Sequence, residues 1–395
     1  MSQRESTSAP TGAAAIRVQP LRSPADRAAF LALPRLIRRG DPVWVEPLRF
    51  DQSRLLSPSH PFYEHGRAAE ARFFLARDSS GRPVGRVAAI VNHLHNQHAG
   101  VREGFFGFFD AIDDQATANA LLDTAAAWLR ERGMTALLGP ASPSHNYEYG
   151  LLIDGFDQPH RFLLAHNPAY YPALLERWGL RKARDLYAFA IKVDDPTLRA
   201  EIARDGARIR ALSQARSPEI QVRSADLKRF AQEVRVAVDL VNRSLAGNWG
   251  YSPMTEGELR EMARTLRYLV DPHLLLIAER AGEPIAVALI IPDLNLLLRK
   301  LRFRSGLPGV LELVLRFKLT HVPVARAVAL GVAQDRASAT AGIVLMHQVY
   351  ERLVERNFQE LDASWILEDN HQMLLPLKRF GLEPNRTYRI YQAEL

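Results

Sequence analysis

Two short stretches concentrate side chains that can bind or move protons. Asn92-His93-Leu94-His95-Asn96-Gln97-His98 packs three histidines into six residues. Imidazoles titrate near neutrality, so His95 is a candidate general base, and Asn92 and Asn96 are candidate grips on acceptor hydroxyls. No cysteine occurs in the chain and no carboxylate lies in this stretch, so no metal is expected. The plainer alternative is a solvated loop. The second stretch, Ser144-His145-Asn146-Tyr147-Glu148-Tyr149, lies at a strand exit. A His145–Glu148 pair there could serve as an oriented base, with Asn146 and Tyr147 contacting substrate. A serine hydrolase is disfavoured, because no Gly-x-Ser-x-Gly elbow surrounds Ser144. Glu368 closes an apolar run and could take a proton directly or through water. Alternatively, Glu368 or Asp369 caps the helix that follows. Trp249 and Tyr251, in Asn248-Trp249-Gly250-Tyr251, form an aromatic pair on a turn that either lines a channel or packs over the core.

These groups need a scaffold, and residues 326–370 organise it. Ala327 to Ala333 is a short apolar run suited to a buried strand, and Gln334 to Gly342 holds small and polar residues without apolar period. Ile343, Met346, Val349, Tyr350 and Leu353 recur at helical spacing, and Phe358 to Leu367 reads as a second strand. The order is a βαβ unit with a right-handed crossover. Its small-residue turn, Ala337 to Ala341, would let a ligand phosphate approach backbone N–H groups and the positive end of the helix dipole.

The same order occurs twice. The hairpin from Phe73 to Asn96 returns from Leu274 to Asn295, with Pro83 and Pro284 lying 201 positions apart. His166 to Leu180 is echoed by Asp369 to Leu382, with Asn167 and Asn370 lying 203 apart and Gly179 and Gly381 lying 202 apart. Each echo has an asparagine opening a short helix that ends at an aromatic-glycine-leucine stop. A long helix and a strand separate the echoes in each half, at Ala116 to Glu131 and Ala136 to Leu138, then Thr340 to Glu355 and Leu361 to Leu367. Two α/β domains with mixed sheets are expected, at 16–195 and 196–395, after a polar tail at 1–15. A polar helix from Thr197 to Gln214 opens the second. Of the 395 residues, 47% are apolar and 24% charged, an ordinary globular balance, and no apolar run is long enough to span a membrane. The net charge of +7 suits a phosphorylated ligand, an anionic lipid surface or nucleic acid.

Hairpin, strand, helix, strand, short helix, strand is the order of the GNAT fold of acyl-CoA-dependent N-acyltransferases, which each half resembles. GRVAAIVNHLHN (85–96), GFFGFFDAIDD (104–114), GPASPSHNYEYGLLIDGFD (139–157), NWGYSP (248–253), IPDLN (291–295) and SWILEDN (364–370) resemble a bacterial tandem GNAT group that includes the ceramide synthases. The resemblance implies that a splayed strand at Leu330, Gly331 and Val332 holds the pantetheine arm. It further implies that the following turn, through Arg336, Ala337, Ser338, Ala339, Thr340, Ala341 and Gly342, holds the pyrophosphate, with Asn370 also on the donor side. The turn departs from the family's glycine-rich form. Leu377 stands where many GNAT enzymes carry a tyrosine acid. At the equivalent turn of the first half Asp113 and Asp114 would repel pyrophosphate, so that half is expected to have lost donor binding and to shape the acceptor pocket. Asn295, in IPDLN, joins Asn92, Asn96, Asn146, Tyr147, Trp249 and Tyr251 as a substrate contact.

The segment from Leu294 to Lys318 alternates leucine, valine and phenylalanine with Arg299, Lys300, Arg302, Arg304, Arg316 and Lys318, against a single acid, Glu312. A basic, leucine-rich amphipathic helix suits docking on an anionic membrane; a core helix with an arginine rim is the alternative. The resemblance therefore implies a cytoplasmic acyltransferase, peripheral to the inner membrane, moving a fatty acyl group from acyl-CoA to the amine of a sphingoid base. Acyl-CoA would be a co-substrate rather than a resident cofactor. Two alternatives remain open: an N-acetyltransferase for a small amine, and a non-catalytic pair that senses acyl-CoA or binds RNA. A long apolar channel would mark the lipid enzyme. No RNA-binding motif with interleaved aromatics occurs.

Overall fold

The computed structural model describes residues 16–216, 219–267, 270–303, 306–333 and 336–395. The first half contains β1 (Arg17–Pro20), α1 (Pro24–Ile37), α2 (Arg49–Leu55), β2 (Ala69–Arg77), β3 (Pro83–Asn92), α3 (His93–Ala99), β4 (Glu103–Ala111), α4 (Gln115–Arg130), β5 (Ala136–Gly139), β6 (Ala141–Ser142), β7 (Glu148–Tyr149), β8 (Leu151–Asp154), α5 (Tyr171–Trp178) and β9 (Arg181–Lys192). The second contains α6 (Pro196–Arg216), β10 (Ile220–Ser224), α7 (Phe230–Leu245), α8 (Glu256–Leu266), β11 (Leu275–Arg280), β12 (Glu283–Pro292), α9 (Asn295–Leu298), α10 (Gly306–Leu319), β13 (Val324–Val332), α11 (Arg336–Glu355), β14 (Glu360–Leu367), α12 (His371–Arg379) and β15 (Arg386–Glu394). From β1 to β5 and from β10 to β14 the halves repeat one another.

One mixed sheet runs through both, in the order β1-β2-β3-β4-β5-β15-β9-β14-β13-β12-β11-β10. The halves exchange their last strands. β15 pairs with β5 through Tyr391 and Gly139, and β9 pairs with β14 through Phe189 and Ala363. Both pairs lie at the middle of the sheet, and β3 and β12, third from either end, carry long buried runs suited to strands covered on both faces. α4 covers the first half with Leu121, Leu122 and Leu129, and α11 covers the second with Leu345, Val349 and Leu353.

β4 and β5 pair in parallel from Glu103 to Phe105 and then diverge; β13 and β14 pair in parallel from Val324 to Ala327 and then diverge. The first gap is filled by the chain itself. β6 enters it, the Phe108 amide donates to Ser142 Oγ at 2.8 Å, and a Cβ on Gly107 would collide with the Ala141 carbonyl. The second half has no counterpart of β6 and β7 among the described residues.

Several local expectations need correction. Asn92 to Asn96 are not a loop: Asn92 caps α3, its Oδ1 accepting the His95 amide at 3.0 Å. The basic segment after Leu294 is broken into α9 and α10, the intervening Arg302 and Phe303 amides donating to Glu312. α11 begins at Arg336 rather than Thr340, so Ala337 to Ala341 lie within the helix instead of in a turn. Asn167 opens no helix; its amide binds both backbone groups of Leu152.

Between the halves lies a buried ionic network. Arg161 binds Asp293 at 3.1 Å and also Glu360, Asp362 binds Arg386, and Arg326 donates to the Phe162 carbonyl at 2.7 Å. Asp362 is fully buried. Removing one partner strands opposite charges in a medium that solvates them poorly. Asp362→Asn is therefore expected to lower unfolding free energy by about 3 kcal/mol in a chemical denaturation series.

Candidate active site

The polar stretches of the first half meet the Asn248 to Thr255 segment of the second. Asn92 Nδ2 donates to Ser252 Oγ at 2.9 Å, and Asn146 Nδ2 to the Ser252 carbonyl at 3.4 Å. His98 Nε2 lies 3.1 Å from the Ala246 carbonyl, and the Tyr147 hydroxyl donates to Glu258 at 2.8 Å. These contacts close a small cavity lined by Asn92, His95, Phe105, His145, Tyr149 and Ser252.

His95 is buried, with Nε2 at 2.8 Å from Glu103 Oε2 and Nδ1 at 3.1 Å from the Tyr251 carbonyl. Both nitrogens face acceptors, so a proton must lie on each hydrogen bond: either the ring is an imidazolium or Glu103 carries the second proton. No ring lone pair is left for an incoming amine. In this geometry His95 positions rather than acts as a base, which corrects the sequence expectation. Glu103 was missed there because it sits on the next strand, and no spacing rule links it to His95.

The expected His145–Glu148 pair is not formed: neither a hydrogen bond nor an ion pair joins the two. Pairing across β6 and β7 opposes Glu148 to Ser142, and its charged neighbours are Arg38, Arg86 and Asp110. His145 instead packs against Tyr149 and Tyr251, with ring centroids 6.3 and 5.8 Å away. Burial, with the nearby His95 adding to it, pushes its imidazole down to about 3. Burial pushes Glu148 up to about 6, against the pull of Arg38 and Arg86.

Asn96 is not free to bind substrate. Its Nδ2 donates to the Glu103 carbonyl at 3.0 Å and its Oδ1 accepts the Glu103 amide at 3.1 Å, joining α3 to β4. Trp249 lies under the Arg184 guanidinium at 5.3 Å, and Tyr251 is buried against His98. Asn295 lies elsewhere, donating to the His160 carbonyl at 3.0 Å and lining a second cavity of about 200 Å³ with Val45, His160, Arg161 and Arg299. Neither cavity is a long apolar channel.

At the end of β14, Glu368 Oε2 accepts from Lys182 at 2.5 Å, and Lys182 also reaches Asp185 at 2.9 Å. Neither Glu368 nor Asp369 caps α12; Asn370 does, accepting the Met373 amide at 3.3 Å, so its side chain is engaged locally. Trp365, three residues before Glu368, packs on Tyr149 at 5.9 Å and links the strand end to the cavity. On β13, a Cβ at Gly331 would lie 2.9 Å from the Val241 amide nitrogen, so glycine there admits α7. Leu330 and Val332 join the core beneath α11. Ser338 and Ala341 are fully buried and a Cβ on Gly342 would press on Val332, so these positions belong to the helix body, not to an open turn. Thr340 also lies in α11. Gln334 and the side chains of Arg336, Ala337 and Ala339 lie outside the described residues. In the first half, Asp114 caps α4, accepting from Thr117 N at 2.8 Å, which places a carboxylate at the helix end.

No family model matches the sequence. Among solved structures, a tandem GNAT protein from the clavulanic acid biosynthesis pathway shares 15% identity at a TM-score of 0.56, covering 96% of this chain and 98% of that one. A GCN5-related N-acetyltransferase from Sphaerobacter thermophilus shares 14% identity at a TM-score of 0.50, over 96% and 95%. The fold is therefore a pair of GNAT units in tandem. Among curated proteins, the chain is 33% identical over 386 residues to the bacterial ceramide synthase of Caulobacter vibrioides, covering 96% of this chain and 98% of that protein. It is 32% identical over 374 residues to the protein YghO of Escherichia coli, covering 94% and 93%. The chain belongs to the bacterial ceramide synthase family, and with it to the GNAT-fold N-acyltransferases.

The shift at His145 has a consequence for stability. The unfolded chain protonates this residue below about pH 6.5, whereas the folded chain resists until about pH 3, so stability falls as pH drops through that interval. His160 acts in the same direction and Glu148, between its folded and unfolded values, in the opposite one. His145→Phe is expected to flatten the decline of the urea midpoint between about pH 6.5 and pH 5.

Proposed function

We propose that the protein transfers a fatty acyl group from acyl-CoA to the amine of a sphingoid base, giving a ceramide-type amide. The observation that carries this reading is the contrast between the two strand gaps. Beyond Ala327 and Ala363 no described strand pairs with β13 on the β14 side, while the counterpart gap holds β6. Pantetheine would run along β13 from Val328 to Val332, satisfying backbone groups that have no strand partner on that side. The first N–H groups of α11 would face the pyrophosphate. In the first half Asp114 would oppose an anion at the matching helix end. The acceptor's polar head would lie beside the cavity between the halves, with Trp365 and Tyr149 at the boundary.

In the reaction the amine nitrogen, entering as an ammonium, gives one proton to the base, forms the C–N bond as the C–S bond breaks, and loses its second proton to the departing thiolate. Glu368 is the proposed proton acceptor, and the His95–Glu103 pair fixes the cavity wall through the Tyr251 carbonyl. Family membership at 33% identity over nearly the whole chain supports a lipid amine. So does α10. Its Leu307, Leu311, Leu315 and Leu319, spaced four residues apart, are 69, 60, 58 and 76% exposed, with Phe303 at 57%. Exposed Lys300, Arg302 and Lys318 flank this stripe; Arg304 lies outside the described residues. We propose that this face rests on an anionic membrane on the cytoplasmic side of the inner membrane. A long acyl chain would require the α9–α10 cover to move outward. The small cavities favour a second reading, acetyl transfer to a small amine.

One assay separates the two. Purified protein receives palmitoyl-CoA or acetyl-CoA with sphinganine, and amide is followed by mass spectrometry. N-palmitoyl product is expected, with kcat reduced roughly 10²-fold in Glu368→Gln. Thiol release without amide, or wild-type rates in that variant, would remove the assignment. In flotation with vesicles, binding should require anionic lipid, weaken with salt, and drop when Leu311 and Leu315 become glutamine.

A further inference from the structure

The cavity between the halves contains a buried polar group without a partner. Tyr149 is 5% exposed, and its hydroxyl forms no hydrogen bond. Buried polar atoms in native proteins are almost always paired, so an orphan on a residue that lines a cavity points to a partner from outside the protein, a water or a ligand group. The other polar walls, His145 excepted, are already engaged. Asn92 is bound to Ser252 and to the His95 amide, and both His95 nitrogens are taken. His145 forms no hydrogen bond with any described residue. Phe105 and Pro143 close the space with apolar surface, and Gly250, at φ +73°, keeps it open. A Cβ on Gly250 would lie 3.3 Å from the Tyr149 oxygen.

Size and polarity narrow the ligand. The cavity is about 10 Å³, the least that holds one water-sized group. Tyr149 stays protonated, because burial raises its ionisation well above neutral pH, and it offers a donor. His145 stays neutral and offers a ring nitrogen as acceptor. A carboxylate or phosphate has no proton for His145, and both are too large. An ammonium offers Tyr149 no lone pair. An alcohol serves both.

We propose that Tyr149 and His145 bind a hydroxyl on a carbon next to the amine-bearing carbon of the acceptor, so that the site selects vicinal amino alcohols over plain amines. This rests on the acyl-transfer reading above. Tyr149 packs on Trp365 of β14, so a hydroxyl held here sets the neighbouring amine beside the strand gap. Binding also displaces any water from a site that only one small group can fill.

The test compares sphinganine with its analogues lacking the C1 or the C3 hydroxyl, using the full-length protein and palmitoyl-CoA. One analogue should lose about 10- to 100-fold in kcat/KM, since the missing hydroxyl leaves the buried Tyr149 oxygen unpaired. In Tyr149→Phe, sphinganine should fall to the level of that analogue while the analogue itself changes little, and the discrimination ratio should approach one. Thermal unfolding of the variant at the wild-type temperature shows that the fold is kept. Equal rates for all three acceptors, or an equal loss for all three in Tyr149→Phe, would overturn the hydroxyl site while leaving acyl transfer intact. Amide from none of them would overturn the acyl-transfer reading and the hydroxyl site with it.

Discussion

Parallel pairing of β13 with β14 stops after four residue pairs, and the architecture around the proposed donor site follows from that break. Backbone N–H and C=O groups that leave a ladder must find other partners. In the first half the chain supplies them itself, through the Ser142 hydroxyl and the close approach of Ala141 to Gly107. In the second half, no described strand does so. The two copies thus differ in one short segment: the divergence is closed by β6 in the first, and no described strand enters it in the second.

The exchange of β9 and β15 makes the two copies one folding unit. Neither half can complete its sheet without the other's last strand, and the Arg161, Arg326 and Arg386 side chains fix the join through Asp293, Glu360 and Asp362. Such buried charges add little net stability over apolar packing, but they penalise misregister strongly. That rigidity matters for the cavity, whose walls come from both halves: a small displacement of Tyr251 against α3 would break the hydrogen bond that orients His95.

Much of the fold could be read from periodicity. The βαβ unit at 326–370, the repeat near 200 residues and the paired hairpins all rest on local patterns, and local patterns fix local elements. Strand exchange could not be read, because it depends on which surfaces meet after the strands form. The site was half legible. His95, His145 and Tyr251 were picked out by residue type, but their roles depend on Glu103, Ser252 and backbone carbonyls, which carry no sequence signal. Tyr149 lay inside a stretch already singled out and was passed over, since only burial shows that its hydroxyl lacks a partner. Asn96 and Asn370 illustrate the converse: polar residues in a suggestive place, both engaged by neighbouring backbone.

The central claim is that this chain has one donor site, in the second half. Native mass spectrometry with a non-transferable thioether analogue of palmitoyl-CoA counts the sites, and amide hydrogen exchange on the same complex locates them. The account predicts one analogue per chain, with new protection at residues 328–333 and none at 106–110. Two analogues per chain, or protection confined to 106–110, would contradict it.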